Sequence, residues 1–168
     1  MFTLNELDSS SDEQLFALLG EELERRVPAD RNSPEFLTQI RTLPIGLRAM
    51  AVTYELDVSL ALDDLGWHFG NWHSNELSEE TATGLEELGA TELAKIFRQA
   101  YQLAMQYWEE LGSETWMGWY HGSEFEHLVS PLDQRARSIL DQEGGNLFKY
   151  WVDYARRHPE RIGVAVSQ

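Results

Sequence analysis

Apolar residues recur along this chain at intervals of three and four, the spacing of a helix face. Leu15, Leu18, Leu19 and Leu23 form one such stripe. Ser11 followed by Gln14 has the form of a capping box, so the pattern predicts a helix from there to about Val27. Pro28 to Asn32 reads as a loop. Ser33 and Pro34 then open a second helix that buries Phe36, Leu37 and Ile40. Pro44 starts a third, with Leu47, Met50, Ala51, Tyr54, Val58 and Ala61 or Leu62 as its inner face.

Residues 63–76 mix Asp63, Asp64, Gly66, Gly70 and Asn71 with Leu65, Trp67, Phe69 and Trp72, and read as a helix end followed by an aromatic-rich loop. Ser78 is the expected cap of a short helix with Ala82, Leu85 and Leu88 inside, ended by Gly89. The clearest periodicity runs from Thr91 to Leu111, with 93, 97, 100, 104, 107, 108 and 111 on one face and Gly112 as its stop. Residues 113–129 look irregular or short helical. Ser130 and Pro131 are expected to open a helix to about Gln142, with Leu132, Ala136, Ile139 and Leu140 inward. Gly144 and Gly145 break it, and a last helix spans Asn146 to His158. No alternating strand pattern, repeat or low-complexity run occurs, so the expectation is an all-α fold: a single-domain bundle of about seven to nine helices over residues 1–168.

Composition narrows the function classes. With 168 residues, 42% apolar and 11% aromatic, the chain has enough to build a core. It has no cysteine, which removes disulfides, thiolate metal sites and cysteine nucleophiles. Met1 to Asp12 lacks a basic start and an apolar run, and no stretch approaches the ~18 apolar residues of a membrane span, so the expected location is the cytoplasm. The formal net charge is −16. Nucleic acid and anionic membranes should repel such a chain, and a basic protein should attract it.

The charge is unevenly placed. Residues 1–48 hold nine acids and five bases, residues 49–134 sixteen acids and only Lys95 and Arg98, and residues 135–168 four acids and six bases. Asp57, Asp63, Asp64, Glu76, Glu79, Glu80, Glu86 and Glu87 are the expected partner-binding acidic face. Carboxylates three or four apart on a helix have Cβ atoms about 5–6 Å apart. Phosphates advance about 3.4 Å per nucleotide along one DNA strand. A glutamate-rich helix therefore approximates a phosphate row.

Catalytic chemistry has weaker support. His121, Glu124 and His127 are spaced H-x-x-E-x-x-H, but His121 and His127 fall about 240° apart around a helix and do not converge. His68 and His73, near Asp63 and Asp64, are the alternative acid–base or metal cluster. No phosphate loop or nucleophile elbow occurs, and nothing calls for a cofactor.

Several segments taken together resemble the DNA mimic protein family, a bacterial helical family named for an acidic Neisseria DNA mimic. They are Leu43-Pro44, Tyr54-Glu55-Leu56-Asp57, Phe69-Gly70-Asn71, and Gly84-Leu85-Glu86-Glu87-Leu88-Gly89-Ala90. Leu132-Asp133-Gln134-Arg135, Tyr150-Trp151-Val152-Asp153-Tyr154 and His158-Pro159-Glu160 fit its C-terminal end. The resemblance covers about residues 40–162. It implies an all-helical fold and a carboxylate surface that occupies a DNA-binding regulator. An immunity-type inhibitor of a basic nuclease would use the same physics. One segment departs from the family pattern: where that pattern has an Asn-Gly-Gly-Phe-x-Gln turn, this chain reads Asp63-Asp64-Leu65-Gly66-Trp67.

Overall fold

The computed structural model describes residues 3–28, 30–31 and 33–164, so Ala29 and Asn32 of the expected loop, with Met1 and Phe2, lie outside the described residues. Every regular element among them is helical: α1 (Leu4–Ser9), α2 (Asp12–Arg26), α3 (Pro34–Ile40), α4 (Ile45–Leu62), α5 (Leu65–Asn71), α6 (Asn75–Glu87), α7 (Thr91–Ala104), α8 (Trp108–Leu111), α9 (Trp116–Tyr120), α10 (Glu124–Gln142) and α11 (Phe148–Arg157). Short 3-10 turns cover Met105–Tyr107 and Pro159–Ile162. The chain is all-α, and none of these helices is long and apolar enough to cross a membrane.

Local chemistry sets many of the boundaries. Ser11 accepts from the Gln14 amide at 3.2 Å and Gln14 accepts from the Ser11 amide at 2.9 Å, which completes the capping box of α2. Gly89, at φ +81°, turns the chain between α6 and α7, and Gly144 and Gly145, both at positive φ, release it from α10.

The helices α4, α6, α7, α10 and α5 pack as a closed ring, each against the next, while α11 joins α2 to the outside of α4. The core includes Leu47, Met50 and Leu56 of α4, Phe69 of α5, Phe97 of α7, Phe125 of α10 and Trp151 of α11, all essentially inaccessible. Where α4 crosses α6 the backbones approach closely. Thr81 Oγ1 donates to the Val52 carbonyl at 3.1 Å, and a Cβ on Gly84 would lie 2.6 Å from Val52 Cγ2 and 3.1 Å from the Ala49 carbonyl.

Five sequence expectations need correction. The helix expected from Thr91 to Leu111 ends at Ala104, and a 3-10 turn over Met105–Tyr107 separates it from α8. The inner face of α4 is broader than its predicted stripe. Ala49, Val52, Thr53, Ser59 and Leu60 are buried because neighbours enclose the helix, while Tyr54 and Leu62 are exposed. Residues 65–71 form a helix, not a loop, because Asp64 caps it by accepting from the Trp67 amide at 2.7 Å. Ser74, not Ser78, caps α6. Finally, α10 starts at Ser123, whose hydroxyl accepts from Glu126 N, and runs through Pro131. Pro131 offers no amide to the His127 carbonyl, and both residues face water, so that carbonyl is open to solvent.

The α4–α6 crossing yields a prediction. Gly84→Ala must widen it and should lower stability by about 1–3 kcal/mol in urea denaturation. Gly20→Ala on the surface of α2, where a Cβ meets nothing within 4 Å, should instead raise it by about 0.5–1 kcal/mol.

Candidate functional site

The carboxylates nominated from the sequence fall into distinct environments. Asp57, half-buried on α4, accepts the Leu147 amide at 2.8 Å just ahead of α11, and its burial raises its pKa. Asp64 accepts from both the Trp67 amide and the Tyr120 hydroxyl, the latter at 2.8 Å. Glu80, with 11% of its side chain exposed, sits between Arg41 and Arg48. Burial pushes its pKa up, but the two guanidiniums outweigh this and hold it below the usual value. Glu87 pairs with Arg161 at 2.7 Å and accepts from the Tyr154 hydroxyl. These four groups have interior or half-buried duties.

Glu76, Glu79 and Glu86 are exposed on α6. Glu76 meets Arg41 at 2.9 Å, and Arg98 spans Glu79 at 3.4 Å and Glu86 at 3.1 Å. Asp63 stands apart. It is half-buried at the end of α4, no hydrogen bond reaches its carboxylate among the described residues, and burial together with Asp64 raises its pKa.

Sequence position therefore conceals much of the charge pairing. Arg31 reaches Glu55 at 2.6 Å, Arg41 and Arg48 reach Glu80, Arg161 reaches Glu87, and Arg137 reaches Asp133 at 2.7 Å. All five arginines lie outside residues 49–134 and neutralise carboxylates inside them.

A second acidic group was not nominated from the sequence. Glu109, Glu110, Glu114 and Glu124 are exposed on α8, the turn after it and the start of α10. The available signal was the lack of any Lys or Arg between Arg98 and Arg135. Tyr101, near Glu79, packs edge-on to Trp108 of α8 at 6.0 Å. The exposed acids of α6, α8 and the start of α10, with Arg98 bound to Glu79 and Glu86, form the candidate acidic strip.

The histidines do not assemble a catalytic cluster. His68 is buried among Phe69 and Phe97, and its Nδ1 lies 3.0 Å from Ser59 Oγ, which itself donates to the Glu55 carbonyl. His73 stacks on Trp108 at 4.1 Å, with Nε2 2.8 Å from the Trp108 carbonyl. Neither histidine pairs with Asp63 or Asp64. His121 faces Glu126 at 3.7 Å. Among the described residues no three His, Asp or Glu side chains gather to hold a metal ion.

Burial lowers the His68 pKa from 6.5 to about 3. The folded state stays neutral there while the unfolded state takes up a proton below pH 6.5. Stability from this group is complete above 6.5 and falls with pH, by at most about 1.4 kcal/mol per unit. The raised Glu55 and Asp57 pKa values act in the opposite sense, so His68→Gln isolates the imidazole. Denaturation measured between about pH 7 and pH 5 should show a flatter pH dependence for that variant.

Comparison with known proteins gives one match. No significant match occurs among curated proteins or solved structures. The family match covers most of the chain, including α4 to α11 and therefore the whole acidic strip: residues 41–158 match the family described as DMP19-like protein, and the chain belongs to this DNA-mimic family.

Proposed function

We propose that this protein binds the basic, DNA-contacting surface of a DNA-binding protein and occupies it in place of DNA. The observation that carries this reading is the set of exposed carboxylates on α8, the turn after it and the start of α10, none paired with a Lys or Arg among the described residues, together with exposed Glu79 and Glu86 of α6, which share Arg98. A fold with ample arginine has used it elsewhere, on Glu80, Glu87 and Asp133. The strip keeps its surplus negative charge, available to cations of a partner. Membership of the DMP19-like family supports the same reading.

Of the eight carboxylates nominated from the sequence, Glu76, Glu79 and Glu86 have the exposure such a surface requires, and Glu109, Glu110, Glu114 and Glu124 extend it. Exposed pairs such as Arg98–Glu86 contribute about 0–1 kcal/mol, so a partner's lysines and arginines can replace Arg98 at small cost. Asp57, Asp64, Glu80 and Glu87 serve the contact indirectly, by holding the helices in place. Charge complementarity of this kind speeds association and weakens as salt screens it. A basic nuclease offers the same surface chemistry as a DNA-binding regulator, and the identity of the captured protein distinguishes the two.

The test is capture of partners from host lysate at about 0.05 M and about 1 M salt, where screening lengths differ severalfold. The expected result is a DNA-binding protein retained at low salt, released at high salt, and displaced by DNA. Glu110→Lys combined with Glu124→Lys should weaken that complex by about tenfold or more, equivalent to about 1.4 kcal/mol, with the unfolding midpoint unchanged. Retention independent of salt, or an unaffected double variant, contradicts the reading.

A further inference from the structure

At the joint between α4 and α5 the surface opens into a cavity of about 210 Å³, whose walls include Val58, Leu62, Asp63, Trp67, Asn71 and Trp72. Leu62 is 82% exposed, an apolar side chain standing in water at this opening. Trp67 is braced from behind. Its ring meets Trp116 edge-on at 4.7 Å, and Trp116 in turn lies over Gly70, where a Cβ would collide with it.

Two polar side chains of the wall are already engaged. The Ser59 hydroxyl serves the Glu55 carbonyl and His68, and the Glu55 carboxylate holds Arg31. Arg137 lies beside Asp63 but donates to the Asp63 and Leu60 carbonyls and to the Asp133 carboxylate. The Asp63 carboxylate is partly buried beside that of Asp64 and interacts electrostatically with Arg137 and His121, but no hydrogen-bond donor reaches it among the described residues.

We propose that this cavity receives an arginine side chain of the partner, its guanidinium held by Asp63 and stacked on the indoles of Trp67 and Trp72. This rests on the partner being basic, as argued above, and names the residue type that anchors it. A guanidinium is planar and weakly hydrated, so it can stack on an aromatic face while it hydrogen-bonds a carboxylate. Val58 and Leu62 offer apolar cover for the methylene stem. Interfaces concentrate their binding energy in Trp and Arg buried in such pockets. The exposed acidic strip governs approach, and the cavity governs residence.

The experiment follows the six tryptophan indole N–H signals of the full chain by NMR. The probes are N-acetyl-arginine methylamide, its uncharged citrulline counterpart and its lysine counterpart. Trp67→Phe and Trp72→Phe assign the two signals in question. The expected result is that arginine shifts both signals, with citrulline and lysine each at least about fivefold weaker. Asp63→Asn should weaken arginine by about fivefold and bring it close to citrulline, with an unchanged thermal midpoint showing that the fold is intact. Absent shifts at these two indoles, equal binding of citrulline or lysine, or an unaffected Asp63→Asn each overturn the proposal. No partner is needed for this measurement, so its failure is distinct from failure of the lysate capture that tests the acidic strip.

Discussion

A carboxylate removed from water must be given a cation or hydrogen-bond donors, and here that requirement ties the ends of the chain to its middle. Glu55, Glu80, Glu87 and Asp133 all have largely buried side chains, and each is met by an arginine: Arg31, Arg41 with Arg48, Arg161 and Arg137. Three of these pairings bring flanking segments onto the helical ring, from the loop after α2, from the end of α3, and from the turn after α11. Losing the cation from a largely buried carboxylate costs more than breaking an exposed pair, because the carboxylate left behind has given up its water. That difference separates the acids that build the fold from those that face solvent.

Once those pairings are made, the excess negative charge falls where arginines do not reach. Arg98 can bridge Glu79 and Glu86 because it lies one helix away, but no Lys or Arg follows it until Arg135. The segment between carries Glu109, Glu110, Glu114 and Glu124 on short helices packed by Tyr107, Trp119 and Phe125. The aromatic contacts allow this end of the protein to tolerate like-charge repulsion. A segment of charged residues alone would expand. The sequence combines acids and aromatics at this end, and both are required.

What could be read from the sequence follows the range of the interaction. Boundaries set by neighbours three or four residues apart were legible, as with Ser11 and Gln14, or Gly89. Helix α5 was not, because its start is completed by Asp133, which accepts the Leu65 amide at 3.1 Å from 68 residues away, and by Tyr120 bonding to Asp64. The inner face of α4 was misjudged because a helix enclosed by neighbours does not follow a single stripe. The acidic surface was partly legible: composition places it in the middle of the chain, but which carboxylates are free depends on arginines remote in sequence. The family resemblance, by contrast, rested on local motifs and agrees with the match over residues 41–158.

The turn that departs from the family pattern brings these threads together. Asp63 and Asp64 occupy it, and the structure treats them oppositely. Asp64 is satisfied within the fold, as cap for the Trp67 amide and acceptor for Tyr120. Its role fixes the first turn of α5, and with it the side on which Trp67 emerges. Arg137 ends α4 by donating to the Leu60 and Asp63 carbonyls and to Asp133, and makes no hydrogen bond to the Asp63 carboxylate. The two aspartates thus supply a helix start together with an acceptor that no donor reaches, beside two indoles. A partly buried carboxylate without a hydrogen-bond donor gains when a guanidinium binds it directly. The turn is therefore better suited to a bound state than to a free one.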